Sequence, residues 1–176
     1  MYQTNLNTPK AELEQRIINL QEYLKKDNID GALIVQLVDL FYFTGTIQQA
    51  HFYIPAEGEP VLMVRKSFDR AKAESSVEKI LRLKRPSDIP DILKTNGHAL
   101  PATLGLELDV LPTNMFFSFQ GIFENPHSRL TGKVHSKFEL EIQNKSEFPN
   151  DYHFSLMETS ICCAAAETGV QLATFV

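Results

Sequence analysis

The sequence predicts an α/β domain with a mixed β-sheet flanked by helices. Short apolar runs bounded by turn residues alternate with segments whose apolar residues recur at helical spacing. Two of the apolar runs are separated by only a short turn that contains glycine, which is typical of a β-hairpin. Since a hairpin is antiparallel and helix-linked strands are usually parallel, the two patterns together predict a mixed sheet.

The first predicted element is an amphipathic helix that leads into a buried strand. Thr8 can cap this helix, and Pro9 suits the first helical position. Apolar side chains then follow at helical spacing: Leu13, Ile17, Leu20 and Leu24. A turn at residues 29–31 separates the helix from the apolar run 32–35, which predicts a short buried strand.

Aromatic and apolar runs predict three further extended segments. The first covers residues 40–43 and ends at Thr44 and Gly45. Residues 52–55 and 61–64 flank a turn that contains Gly58, so we expect them to form a β-hairpin.

The rest of the chain continues the alternation of helices and strands. The remaining predicted elements are a helix at 67–75, a strand at 80–83, a helix at 87–94, a strand at 103–106, a largely buried helix at 113–123 and a helix from about 136 to 147. The last of these begins with a capping box, Ser136 followed by Glu139.

Composition excludes several classes of protein. The chain has 176 residues, with 17 Lys and Arg against 22 Asp and Glu, and no long basic run, so we expect no nucleic-acid partner. No apolar run approaches the roughly 20 residues that span a bilayer, and the polar first ten residues lack the apolar core of a signal peptide. The two cysteines, Cys162 and Cys163, are adjacent and form no disulfide framework, which favours a reducing, cytoplasmic location.

No pattern of catalytic or metal-binding residues stands out. The five histidines have no His-x-x-His or His-x-x-x-His spacing, and the eight glycines form no phosphate-binding loop. The sequence also lacks a Gly-x-Ser-x-Gly nucleophile motif. The simplest interpretation of Cys162 and Cys163 is a pair of small apolar residues, with a strained vicinal disulfide as the alternative.

The order and spacing of several short motifs resemble a known family. The segments R-I-x-N-L-Q at 16–21, I-D-G-A-L-I-V at 29–35 and F-Y-F-T-G at 41–45 are similar to the N-terminal domain of the creatinase/prolidase (Xaa-Pro peptidase) family. The hairpin at 55–64, the segment L-G-L-E at 104–107 and H-S-K-F-E-L-E at 135–141 extend the resemblance.

The resemblance implies a division of the chain into three parts. Residues 1–134 would be the creatinase/prolidase N-terminal-like domain, 135–148 the start of a linker helix, and 149–176 an atypical tail. In the family, the linker leads into a pita-bread metallopeptidase domain, whose two Asp, one His and two Glu hold two divalent metal ions such as Mn or Co. The residues after Glu147 are too few for that domain and contain none of its motifs.

This comparison with the family predicts a truncated, non-catalytic N-terminal domain of an Xaa-Pro dipeptidase or aminopeptidase. We therefore expect no catalytic residue, metal ligand or cofactor in this chain. The resemblance implies a role in dimerisation and in gating the substrate of a proline-specific metallopeptidase. The expected partner is a second copy of the chain or a catalytic domain. The alternatives are a free-standing α/β interaction or dimerisation module and, less favoured, a small hydrolase whose site is not recognised.

Two segments are candidate contact surfaces. By the resemblance, the polar loop that follows the aromatic segment would gate the substrate or contact a second subunit, and its candidate residues are Tyr42, Thr44, Gly45 and His51. The alternative is a simple connection that turns at Gly45. The helix at 113–123 is rich in aromatic residues, which favours core packing or a covered interface: Phe116, Phe117, Phe119 and Phe123.

Overall fold

A computed structural model describes residues 8–123 and 129–131 of the chain. All of these residues belong to one unit, Met1–His135. The predicted helix that begins at Ser136 and the predicted tail lie outside the described residues. Among the described residues, no helix is both long enough and apolar enough to cross a membrane.

The centre of the domain is a six-stranded mixed sheet. Its strands are β1 (Gly31–Ile34), β2 (Ala50–Pro55), β3 (Val61–Val64), β4 (Ile80–Arg82), β5 (Thr103–Leu106) and β6 (Arg129–Thr131). Their order across the sheet is β4-β3-β2-β1-β5-β6. Strand β2 pairs antiparallel with both neighbours, while β1 with β5, β3 with β4, and β5 with β6 are parallel pairs. The sheet is therefore mixed, as the sequence predicts.

Helices cover both faces of this sheet. They are α1 (Lys10–Lys26), α2 (Leu37–Thr44), α3 (Phe68–Glu74), α4 (Ile89–Thr95), preceded by a 3-10 turn at Pro86–Asp88, and α5 (Thr113–Ile122). One face packs against α4 and α5 through a cluster of buried side chains: Leu33, Tyr53, Val61, Met63, Leu83, Ile89, Leu93, Leu104, Leu106, Phe119 and Phe123. Strand residues alternate between faces, so Phe52 and Ile54 point to the opposite face, where α1 and α2 contact β2.

Most of the predicted elements are present. The apolar stripe of α1 is buried as expected, although Pro9, and not Thr8, occupies the N-cap position and no side chain caps the helix. The predicted hairpin is present, and its strands pair Tyr53 with Val61 and Ala50 with Val64. The predicted helix at 67–75 and the strands at 80–83 and 103–106 are also observed.

The segment around Leu40 is a helix, so the prediction of an extended strand there was wrong. The side chain of Gln36 caps this helix by accepting hydrogen bonds from the backbone N–H groups of Val38 and Asp39. Its buried apolar residues, Leu40 and Phe43, are three positions apart, which is the spacing of one helical face. This segment is rich in aromatic residues and too short for its apolar pattern to distinguish a helix from a strand. Its secondary structure is therefore determined by tertiary packing.

Two other expectations differ from the structure. Helix α5 was expected to be largely buried, but only Phe119 within it is buried, and the side chain of Phe117 is 61% exposed. Strand β6 was not predicted from the sequence. It has only three residues and pairs with β5 alone among the described strands, so its local pattern carries little signal.

Close packing of a tyrosine ring fixes the identity of Gly31, at the start of β1. A Cβ atom at this position would lie 2.6 Å from the hydroxyl oxygen of Tyr53 and 2.8 Å from its ring carbons. The ring is 98% buried, since Tyr53 is only 2% exposed, and it packs against the imidazole of His98 with 5.7 Å between ring centroids. It therefore has little room to move, and only glycine leaves space for it.

We predict that Gly31→Ala destabilises the domain by about 1–3 kcal/mol, because the added methyl group overpacks the core against Tyr53. Thermal or denaturant unfolding measures this loss. The matched control is Gly121→Ala in α5, where an added Cβ meets no atom within 4 Å. There the exchange should be neutral or stabilise by up to about 1 kcal/mol through helix propensity. Equal stability of the two variants would contradict the packing argument.

Candidate functional site

The polar features of the domain concentrate at one edge of the sheet. Strands β1, β3, β4 and β5 all run in one direction and end at this edge, and β2 begins there. We call it the C-terminal edge. In sheets of this kind, the side chains that follow the strand ends are brought close together.

Two buried carboxyl groups form the most unusual structure at this edge. Glu107 directly follows β5 and is 0% exposed, and Asp39 lies in the first turn of α2 and is 6% exposed. The Oε2 atom of Glu107 accepts hydrogen bonds from the backbone N–H of Val35, at 2.7 Å, and of Gln36, at 3.0 Å. The carboxyl group of Asp39 lies close enough to that of Glu107 to disfavour its ionisation. We call this pair the carboxyl clamp, because it ties the end of β5 to the start of α2.

The environment of the clamp keeps Glu107 protonated at neutral pH. Burial disfavours the charged form, and the hydrogen bond and negative charge of Asp39 act in the same direction. Together they raise the pKa of Glu107 to about 9, although the N–H groups of Val35 and Gln36 act against this shift. A protonated Glu107 can donate to the Asp39 carboxylate while its other oxygen accepts from the backbone.

The clamp holds a short helix whose outer face is apolar. Leu37 is 54% exposed, Val38 is 53% exposed and Phe41 is 44% exposed. These three residues lie within one turn of α2, and we call them the apolar patch. Their exposure contrasts with the burial of Leu40 and Phe43 on the inner face of the same helix. Contiguous exposed apolar side chains often mark a contact surface.

The loop after α2 is fixed to α3 by a glutamate. The hydroxyl of Thr46 donates to Glu74 Oε2 at 2.7 Å, and the side-chain amide of Gln48 donates to the same oxygen at 3.1 Å. Arg70 forms an ion pair with Glu74 at 2.6 Å. Burial opposes ionisation of Glu74, but the hydrogen bonds from Thr46, Arg70 and Gln48 prevail and lower its pKa.

The predicted loop residues occupy two different surroundings. Tyr42 lies in α2 beneath the guanidinium of Arg16, 4.2 Å from its ring centroid, and its carbonyl accepts from Arg16 Nη1 at 2.6 Å. Thr44 is buried and donates to the carbonyl of Leu40, and Gly45 ends α2 with a φ of 73°, a conformation that favours glycine. His51 lies in β2. Three of the four predicted residues thus belong to α2 and its C-cap, and the fourth belongs to a strand.

His51 is an unusual buried imidazole. It is 3% exposed, and its ring meets that of Phe119 edge to face at 5.8 Å between centroids. Neither ring nitrogen has a hydrogen-bond partner among the described residues. Burial, reinforced by the positive charge of Arg65, lowers the pKa of His51 to about 4, so the ring is neutral at physiological pH.

The aromatic residues of α5 divide between core and surface. Phe119 and Phe123 belong to the buried cluster against the sheet, and Phe116 packs at its margin. Phe117 points away, and its ring is the most exposed of the four. Of these four rings, that of Phe117 is the most accessible for contact with another molecule among the described residues.

The described residues do not fit a dinuclear metal centre like that of the family's catalytic domain. Among residues 8–123 and 129–131, no group of three or more His, Cys, Asp or Glu converges on one point. The carboxyl clamp has only two acidic residues, and one oxygen of Glu107 already accepts hydrogen bonds from two backbone N–H groups. No metal-dependent step is therefore derived for these residues.

Comparison with known families identifies the domain. The model of the Creatinase/Prolidase N-terminal domain matches residues 16–133. The chain belongs to the creatinase/prolidase family. The sequence resemblance and the predicted fold class are thus confirmed.

Solved creatinase/prolidase domains have the same fold. The N-terminal domain of an X-Pro dipeptidase from Streptococcus pyogenes matches with a TM-score of 0.59 and 19% identity, over 72% of this chain and 98% of that one. The N-terminal domain of a cytoplasmic peptidase from Mycobacterium tuberculosis matches with a TM-score of 0.57 and 16% identity, over 66% and 91%.

A longer family structure matches only in part. Prolidase from Pyrococcus furiosus matches with a TM-score of 0.54 and 22% identity, over 69% of this chain but only 34% of that one. No curated protein matches this chain in a sequence search. At these identities the structural matches establish the fold of this creatinase/prolidase domain, and its role is a separate question.

Sequence reasoning missed the carboxyl clamp. Glu107 was noted only as part of the L-G-L-E segment, and Asp39 was placed just before a strand that is in fact a helix. The available signal was an acidic residue directly after a buried apolar strand, where a charge is costly unless it has partners. Its partners lie about 70 positions away along the chain, so no local pattern identifies them.

We predict that Glu107→Gln changes the pH dependence of stability. The pKa of Glu107 is raised in the folded state. Between pH 4.5, the ordinary pKa of this carboxyl group, and pH 9, the folded chain therefore keeps a proton on Glu107 that the unfolded chain releases. The stabilising contribution is therefore fully present below pH 4.5 and is lost as the pH rises toward 9. Glutamine mimics the protonated acid and does not titrate, so the variant should gain stability relative to the natural chain between pH 5 and pH 9.

Urea unfolding across this pH range measures the effect. Glu22→Gln, at an exposed position of α1, is the control and should leave the profile of the natural chain unchanged. If the Glu107→Gln and natural profiles run parallel, Glu107 does not hold a proton in the folded state.

Proposed function

We propose that this domain is a non-catalytic N-terminal domain of an Xaa-Pro peptidase-type protein, with a role in self-association and in gating the substrate. Membership of the creatinase/prolidase family supports the assignment. Matched structures of an X-Pro dipeptidase and a prolidase support the class of activity in which the domain would take part. The peptidase chemistry would come from a separate catalytic domain, on the same chain or on another one.

The observation that carries the role in contact formation is the apolar patch on α2. Leu37, Val38 and Phe41 are each more than 40% exposed. Glu107 and the cap at Gln36 fix the first turn of the same helix. A rigid apolar surface loses little conformational entropy when it is covered, which favours its use in association. We infer a second copy of the chain as the principal partner. We also infer a cytoplasmic location, since the mycobacterial relative is a cytoplasmic peptidase.

We predict that charge on the apolar patch weakens self-association. The double variant Leu37→Glu with Phe41→Glu places two desolvated carboxylates in the proposed interface, and we expect its dimer to dissociate at least about tenfold more readily. Light scattering coupled to size-exclusion chromatography over a range of concentrations gives the mass.

Two control variants test whether the loss of the dimer is specific to the apolar patch. Phe117→Glu tests the exposed ring of α5, and Ile18→Glu tests an isolated apolar side chain on α1 that is 46% exposed. Both should retain the mass of the natural chain. If only Phe117→Glu loses the dimer, the interface lies on α5 and not on α2. A natural chain that is monomeric would contradict self-association.

We predict that the purified chain does not hydrolyse an Xaa-Pro dipeptide when Mn²⁺ or Co²⁺ is supplied, because its described residues form no converging set of metal ligands. Release of free proline, followed by chromatography, measures this activity. A creatinase/prolidase protein with its catalytic domain serves as the positive control. Sustained turnover that survives repurification would overturn the non-catalytic role.

A further inference from the structure

The charges of this domain are unevenly distributed. Residues 65–85 contain eight Lys or Arg against three Asp or Glu, whereas the whole chain has 17 against 22. Nearly half of the basic residues thus lie in one short segment of an acidic protein. That segment covers the end of β3, helix α3 and the edge strand β4.

The register of the sheet brings four of these cations together. Val64, the last residue of β3, pairs with Arg82, the last residue of β4. The residues that follow, Arg65 and Lys66 after β3 and Lys84 and Arg85 after β4, therefore emerge side by side at the C-terminal edge. Parallel neighbours are separated by about 4.8 Å, so the four residues occupy adjacent backbone positions at one edge of the sheet. We call Arg65, Lys66, Lys84 and Arg85 the basic cluster.

The backbone beneath the basic cluster is fixed. The N–H groups of Arg65 and Lys66 both donate to the carbonyl of Gln49, and the N–H of Leu83 donates to the carbonyl of Val64. Arg85 donates its N–H to the carboxylate of Asp88. The charged groups thus project from defined positions, which reduces the entropic cost of binding.

The four side chains are exposed and mostly lack anionic neighbours. Arg65, Lys66 and Lys84 form no ion pair with any described residue, and Arg85 has a surface pair with Asp88 at 3.3 Å. Several other cations of the domain form ion pairs, for example Arg82 with Asp69 and Arg70 with Glu74. Within the basic cluster, Arg65, Lys66 and Lys84 therefore carry positive charge that no described residue compensates, while Arg85 is paired with Asp88.

We propose that the basic cluster is a docking surface for an acidic segment of a partner protein. Its small size fits a short run of carboxylates, and its lysines and arginines attract them over about 8 Å at physiological ionic strength. A long nucleic acid fits less well, because its phosphates would extend over the remaining, acidic surface. The nearby ring of Phe68 is also covered by the guanidinium of Arg82, at 4.1 Å, and offers no free face for stacking a base.

A labelled synthetic peptide of alternating Glu and Ser tests this proposal by fluorescence anisotropy with the full chain. We expect saturable binding that weakens with added salt, and no binding of the matched peptide of alternating Gln and Ser. In the variant Lys66→Glu with Lys84→Glu, the affinity should fall at least about tenfold. Circular dichroism verifies that each variant is folded.

The control variant is Lys26→Glu with Lys94→Glu, which changes the net charge equally. Both residues are exposed and lie in the last turns of α1 and α4. These turns precede β1 and β5 and so lie at the opposite edge of the sheet. This variant should bind the acidic peptide within about twofold of the natural chain. An equal loss in both variants would show a general charge effect and overturn the proposal. Tighter binding of a single-stranded DNA of the same charge would also overturn it, in favour of a nucleic-acid surface.

Discussion

The hydrogen bonds between one carboxyl oxygen of Glu107 and the backbone N–H groups of Val35 and Gln36 are the constraint on which the C-terminal edge depends. Strands β1 and β5 are parallel neighbours, and each must leave the sheet at the same edge. The chain that leaves β1 has backbone donors that the sheet no longer satisfies. The side chain that follows the neighbouring strand accepts from them, so the end of β5 positions the start of α2 together with the cap at Gln36.

This arrangement has an electrostatic cost that the site itself offsets. A buried, isolated carboxylate is strongly disfavoured, but a protonated Glu107 buries no charge and gains Asp39 as an acceptor. The pair thereby supplies both a fixed acceptor for the backbone and a hydrogen bond within the interior. The same arrangement orients α2, whose buried residues Leu40 and Phe43 determine that Leu37, Val38 and Phe41 face outward. The apolar patch is thus a consequence of how the helix is held.

The sequence predicted the parts of the fold that depend on local pattern and missed those that depend on distant contacts. The stripe of α1 and the hairpin around Gly58 follow from periodicity and turn chemistry, and both are present. Helix α2 was mistaken for a strand because aromatic residues favour strands and its inward periodicity covers barely two turns. The carboxyl clamp was not predicted because its two residues are far apart in the chain. The excess of cations in residues 65–85 can be counted from the sequence, but only the pairing of β3 with β4 places four of them on one surface.

The C-terminal edge carries both exposed apolar side chains and unpaired cations, and this combination argues that it is the edge that meets other molecules. At the opposite edge, the acids of the hairpin turn are paired within the domain, Glu57 with Lys25 and Glu59 with Lys79. At the C-terminal edge, the cations after β3 and the apolar side chains of α2 are left exposed on a backbone that hydrogen bonds hold in place. Contiguous exposed apolar area often marks a contact surface, and exposed charge of one sign attracts a partner of the opposite sign. The apolar patch lies on α2, which packs against β2, whereas the basic cluster follows β3 and β4, so the two surfaces share no residue. An apolar contact with a second copy and an electrostatic contact with an acidic partner can therefore occur on the same domain without competing for the same residues.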